Sequence, residues 1–290
     1  MINAAQVLSL SVLCAAVPWQ ALAQIADSPR AMSMSAVRGD PVASSAIIQN
    51  PAGMSRAYMY AAEIQYFRAG PNDLNAMGLS VVDSKTQPQL AVGLNYAYQF
   101  ADSDAPLAQD GHDVRLAFAH PMVAEKFHLG VAMRYLSIDR GGEGIATEDL
   151  EGFTLDVGFL ASLAPSIHLG LVGQSLIEME DESVPRRAGG GLAYTGKPLV
   201  VDVDVLADFD THPDGAKPVV AAGLELLLAE SVPIRAGYEY DGALETSWVS
   251  GGLGFVMGSG ANGGQLSLAY RQNLDDSKTH AFGVSLTIFL

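Results

Sequence analysis

From position 57 to the C-terminus, apolar side chains alternate with small or polar ones at a period of two, in runs of about ten residues. Leu90, Val92, Leu94, Tyr96, Tyr98 and Phe100 share one face of such a run, and Ala91, Gly93, Asn95, Ala97 and Gln99 the other. Phe127, Leu129, Val131, Met133 and Tyr135 repeat the scheme opposite His128, Gly130, Ala132 and Arg134. Phe153, Leu155, Val157, Phe159 and Ala161 do so opposite Thr154, Asp156, Gly158 and Leu160. Helical spacing does not compete. The pattern predicts fourteen strands, at 57–69, 74–83, 88–101, 112–120, 126–138, 151–162, 166–177, 186–196, 198–210, 217–229, 232–241, 246–258, 264–273 and 279–290.

A soluble sandwich would also alternate, but regular apolar bands on every strand would leave a belt that aggregates in water. Hydrocarbon is the solvent that suits them, and in hydrocarbon a sheet has to close so that no backbone group is left unpaired. The prediction is an all-β fold: a closed antiparallel transmembrane β-barrel of about 14 strands with a short N-terminal helical plug. The connections support it. Those after even-numbered strands are compact, such as Leu163-Ala164-Pro165, Gly196-Lys197-Pro198 and Glu230-Ser231. Several after odd-numbered strands are longer and acidic: 102–111, 139–150, 178–185 and 211–216. Short turns then face the periplasm and the acidic rim faces outside the cell. Tyr66, Phe67, Tyr96, Tyr98, Phe100, Tyr135, Tyr238, Tyr240 and Tyr270 cluster toward strand ends, as the aromatic girdles of a membrane interface do.

The residues before position 57 read differently. Val7 to Val17 form an apolar core and Ala21-Leu22-Ala23 a small-x-small box, so residues 1–23 are expected to be a signal peptide cleaved near Ala23. Residues 24–56 form an N-terminal plug or hatch, with 30–56 as its body, and 57–290 the barrel. In the plug Asp40-Pro41 and Asn50-Pro51 punctuate short helix, and Ala46 to Ile48 supply an apolar anchor. Pro51 restricts Asn50 to an extended geometry.

Cys14 falls in the leader, so the mature chain has neither disulfide nor thiolate. No apolar run long enough for a helical span follows it. With 32 acidic against 16 basic residues, a net charge of −16, no nucleic acid partner is expected. No nucleophile elbow and no His-x-x-x-His pair occur, so no catalytic residue, metal site or cofactor is assigned and the chain is not read as an enzyme. Asp113 beside His112 and the acidic run Glu178, Glu180, Asp181 and Glu182 both read as solvated loop; the run lacks the spacing of a calcium loop.

With the apolar faces toward lipid, the alternate residues line the lumen. Charges of both signs fall there: Glu63, Asp113, Arg115, Arg134, Asp156, Arg235, Glu239 and Arg271, with Asp202, Asp204, Asp208 and Asp210 on one face of a single strand. Gly93, Gly130, Gly158, Gly170, Gly251, Gly252 and Gly254 are also read as inward, clearing space either for the plug, the favoured reading, or for a ligand.

The run Ala31-Met32-Ser33-Met34-Ser35-Ala36, then Asp40, Ala43 to Ala46, and Asn50-Pro51-Ala52-Gly53-Met54 resembles the N-terminal signature of the FadL-like and PorV-like outer-membrane proteins. The resemblance implies a hatch inside a fourteen-stranded barrel, with Asn50, Pro51, Ala52 and Gly53 fixing it to the wall. It implies passage of a hydrophobic small molecule such as a long-chain fatty acid or, in the PorV-like alternative, docking of a protein partner without transport. Outer-membrane lipid and lipopolysaccharide would surround it. The last strand, 279–290, resembles the signal recognised by the barrel-assembly machinery.

Overall fold

A computed structural model describes residues 27–70, 73–101, 108–123, 126–141, 148–181, 183–259 and 262–290. The predicted leader, its cleavage site and Glu182 lie outside the described residues. After two short helices, α1 (Pro29–Met34) and α2 (Ser44–Gln49), and a 3₁₀ turn (Pro51–Ser55), the described chain is strand and connection. The strands are β1 (Tyr60–Gly70), β2 (Leu74–Asp83), β3 (Ala91–Phe100), β4 (Ala108–Val123), β5 (Phe127–Gly141), β6 (Leu150–Ala164) and β7 (Ile167–Gln174). They continue with β8 (Arg187–Gly196), β9 (Leu199–Asp208), β10 (Lys217–Leu228), β11 (Val232–Asp241), β12 (Thr246–Ser259), β13 (Asn262–Asn273) and β14 (His280–Phe289).

Each strand pairs with the next, and β1 pairs with β14 from Ala61–Phe289 to Gly70–His280, so the sheet is a closed antiparallel barrel. Closure leaves no edge, which is how an antiparallel sheet removes its unpaired backbone groups. Register sends one face of every strand out. Leu94, Val131, Val205, Leu253 and Leu286 are exposed, while their neighbours Asn95, Ala132, Asp204 and Ser285 are buried. Among the described residues no helix is long and apolar enough to cross a membrane.

Strand ends depart from the sequence expectation where chemistry other than alternation decides. β4 and β5 run longer than 112–120 and 126–138, because Gln109 to Gly111 continue the ladder with Ile138 to Arg140. β7 stops at Gln174 rather than 177: Ser175 takes a left-handed φ of 53° and its amide donates to the Asp156 carboxylate at 2.7 Å, turning the chain out of register.

Phe67 is no girdle residue. It follows the parity of Glu63 and Gln65 into the lumen, where it is fully buried beside Gly283 and Met32. Gly251 is not inward either. It shares the outer face with Val249 and Leu253, and a Cβ there would meet only a carbonyl 3.6 Å away. Asp210 lies beyond the end of β9 and binds Arg186 rather than lining the lumen with Asp202, Asp204 and Asp208. The pair His112 and Asp113 is divided by the sheet: His112 faces out against Tyr96, and Asp113 is buried inside.

Candidate functional site

The candidate site is the barrel interior, and residues 29–55 fill much of it. α1 lies against β10 to β14, whereas α2 and the 3₁₀ turn lie against β2 to β6. A helix inside a barrel needs room, and small residues at inward positions supply it. A Cβ at Gly158 would land on Asn50 Oδ1, one at Gly130 on the Pro51–Ala52 peptide, one at Gly170 on the Arg38 carbonyl, and one at Gly93 on Met54 and Ile47. Gly252 faces Ser33. Gly254 is the exception, crowded by Pro233 of the wall itself. Of the two uses considered for these glycines, space for the N-terminal segment is the one observed.

Asn50 organises the turn. Its backbone is extended (φ −159°, ψ 100°), the geometry that the following proline imposes. Its Oδ1 accepts from Ala52 N at 3.3 Å, capping the 3₁₀ turn, while Nδ2 donates to the carbonyls of Arg38 (3.2 Å) and Phe159 (3.3 Å). One fully buried side chain thus ties the turn, the preceding loop and β6 together. Pro51, Ala52 and Gly53 are buried with it, and a Cβ at Gly53 would strike Pro41.

The inward charges form four groups. Arg134 chelates Asp113 through Nε and Nη2, at 2.7 Å for the shorter contact. Arg115 lies 3.6 Å from both Asp113 and Asp156 and donates to the Ile48 carbonyl of α2. Arg235 pairs with Glu225 at 2.6 Å, and Arg30 of α1 approaches the same carboxylate at 3.5 Å. Arg271 pairs with Glu239 and lies 4.4 Å over the Trp248 ring, a cation–π contact. Arg187 joins Asp208 (2.9 Å) and Asp241 (3.5 Å). Glu63 stands apart from any arginine pair, accepting from Ser44 of α2 and Thr287 of β14.

Asp202 and Asp204 do something different. Asp204 Oδ2 accepts from the amides of Val37 and Arg38 and from the Arg38 guanidinium, at 3.1 to 3.2 Å. Asp202 Oδ2 accepts from the amides of Gly39 and Asp40, at 3.1 and 2.9 Å. Four successive amides of an otherwise unpaired loop find their acceptors on one strand. Asp40 in turn holds Arg30 at 2.9 Å and also pairs with Arg56, so the loop is bound from within as well.

Of the twelve charges read as inward from the sequence, Glu63, Asp113, Arg115, Arg134, Asp156, Asp202, Asp204, Asp208, Arg235 and Glu239 are buried in the interior, Arg271 is largely so, and Asp210 is not among them. Sequence reading missed Glu225 and Arg187, although Glu225 sits between outward Leu224 and Leu226 and the same parity would have found it. It also missed Arg30, Arg38 and Asp40 as binding partners, because nothing local shows which wall residue a loop will meet. Among the described residues, no group of three or more His, Cys, Asp or Glu side chains is placed to hold a metal ion.

No protein-family model matches the chain, and no curated protein matches it in sequence. Its fold does match solved structures. The monoaromatic hydrocarbon channel CymD superposes with a TM-score of 0.64 at 12% identity, over 91% of this chain and 97% of that one. The Ralstonia pickettii toluene transporter TbuX gives 0.61 at 11% identity, over 92% and 98%. A Pseudomonas aeruginosa FadL homologue gives 0.58 at 12% identity, over 91% and 96%. The chain has the fold of these three proteins.

Proposed function

We propose that the chain spans the outer membrane and passes a hydrophobic small molecule, residues 29–55 acting as the plug that has to shift for passage. The observation that carries this is the pairing of a closed barrel with an apolar outer face, a combination that hydrocarbon tolerates and water does not. The fold shared with hydrocarbon and toluene channels supports the transport half. Tyr98, Tyr135, Tyr238 and Tyr270 turn their hydroxyls to polar groups near the ends of the longer connections, at Asp110, Glu151, Ser247 and Gln272, which suits one membrane interface. On this reading the leader is removed near Ala23, the acidic connections face outward among lipopolysaccharide, and β14 is the strand presented to the barrel-assembly machinery.

Uptake of labelled toluene by cells with and without the gene tests the proposal. A gene-dependent increase supports it. Unchanged uptake together with a co-purifying envelope protein would replace transport by docking.

A further inference from the structure

The interior holds many cations, yet none is left over for a ligand. Every arginine of the chain lies among the described residues, and each has a carboxylate within 4.0 Å. The lysines sit at strand ends or in connections: Lys85, Lys126, Lys197, Lys217 and Lys278. A ligand carboxylate entering the lumen would have to take an arginine from a carboxylate already there. That exchange leaves one buried anion unpaired whichever partner wins, and an unpaired buried charge is strongly disfavoured.

The mouth at the longer connections adds to this. Asp110, Asp149, Glu178, Asp214, Glu245 and Asp276 are exposed there. Arg68, Arg186 and Lys278 lie at the same end but are outnumbered by carboxylates, and a rim of net negative charge depletes like-charged solutes before they reach the opening. Behind the rim, two apolar clusters lie beside the paired charges of Arg187, Asp208 and Asp241. Phe67, Leu74 and Ala76 form one cluster with Met32 of α1, and Leu136, Ile138 and Leu150 form another with Val184. An uncharged apolar molecule meets neither penalty and gains from both clusters.

Resting on the transport reading above, we infer that the passage takes uncharged apolar molecules and rejects organic anions of the same chain length, ionised fatty acids included. The residue pair that sets this at the apolar end is Glu239 with Arg271. Arg271 projects beside Ala281, its cross-strand partner, and Ala269, both members of the Phe67 cluster, so its charge stands at the edge of the apolar surface. Glu239 occupies that charge. Removing the glutamate carboxylate converts the site into one that can receive an anionic head group.

The experiment compares labelled 1-decanol with labelled decanoate, one chain length and two charges, at neutral pH. Initial gene-dependent uptake is measured in cells with an intact lipopolysaccharide leaflet. The full-length protein is expected to favour decanol by about tenfold or more. In Glu239→Gln the decanoate-to-decanol ratio rises about fivefold or more, and in the double variant Glu239→Gln/Arg271→Gln it returns to the wild-type value. Equal uptake of the two by wild type overturns the inference, as does an unchanged ratio in a Glu239→Gln protein that still carries decanol. If Glu239→Gln does not assemble, the wild-type ratio decides alone. Gene-dependent uptake of neither compound overturns the transport reading itself, which separates that failure from a failure of charge selection.

Discussion

The two halves of the N-terminal segment meet the wall by different means. Residues 29–36 lie on β10 to β14 mainly through shape: Met34 backs onto Gly223 and Gly237, Ser33 onto Gly252, and Met32 reaches Gly283 and Phe67. Few polar contacts join them to the wall: Ser250 to Ser35 and to the Ser33 carbonyl at 3.0 Å, and Arg30 to Glu225 at 3.5 Å. Residues 37–55 are instead stitched in by polar groups. Asp202 and Asp204 take four amides, Asn50 binds β6, Arg115 and Gln174 donate to carbonyls of α2, and Ser55 meets His128. Dispersion contacts are many and weak, and hydrogen bonds to charged groups are few and strong. The polar half is therefore the latch, and on the transport reading proposed above the apolar half is the part that yields to an apolar ligand.

The largest effect should follow from removing the latch. Asp202→Ala/Asp204→Ala strips the acceptors from four buried amides and leaves Arg38 unpaired, a loss of about 3–5 kcal/mol by analogy with broken buried pairs. The barrel should stay folded in detergent while limited trypsin cuts at Arg38 and Arg56. Continued protection of both sites would show that the carboxylates do not hold the segment.

Next comes Gly158→Val, whose branched side chain occupies the place of Asn50 Oδ1. Overpacking of this kind costs about 1–3 kcal/mol. The same cleavage assay should show partial release, and Asn50→Ala should not rescue it, because Pro51 remains in the way.

On the apolar half, Ser250→Ala removes only neutral hydrogen bonds, worth about 1 kcal/mol. Hydrogen exchange should rise in residues 29–36 and not in 37–52. An equal rise in both would erase the distinction drawn between them.

The smallest effect concerns the mouth. Burial opposes ionisation of Asp181, but Arg140 and Ser183 together outweigh it and hold the carboxyl below its ordinary range. A depressed carboxyl pKa gives stability that is complete above the unfolded aspartate value, about 3.9, and is lost as pH falls through the lower folded value. Amide exchange in the connection 175–186 should thus be flat from neutral pH down to about 4, after correction for intrinsic exchange rates, and rise below it. Asp181→Asn should show the raised exchange already at neutral pH.

How much of this could be read in advance depends on whether the cause was local. Strand number, parity and the inward charges follow from period-two alternation, because successive side chains of a strand point to opposite faces regardless of what lies beyond them. Phe67 and Gly251 broke the reading for opposite reasons. An aromatic near a strand end suggested an interface, but the register of β1 turns it onto Gly283; a glycine among inward glycines sits one residue out of their phase. The early end of β7 depends on a side chain of β6 capturing the Ser175 amide, which no window of sequence around Ser175 contains. The latch was half legible. Asp202 and Asp204 were seen to face inward, but their partners are Val37 to Asp40, far off in sequence and joined only by closure of the barrel.

The claim on which the rest depends is that alternate side chains of the closed wall face hydrocarbon, and a nitroxide scan of β3 tests it most directly. The sole cysteine, Cys14, falls in the predicted leader, so single cysteines at positions 91–97 can be labelled in protein reconstituted into bilayers. The account predicts high accessibility to oxygen and low accessibility to a water-soluble nickel reagent at positions 92, 94 and 96, with oxygen accessibility falling at 91, 93, 95 and 97. High nickel accessibility at 92, 94 and 96, or no alternation along the strand, would contradict it.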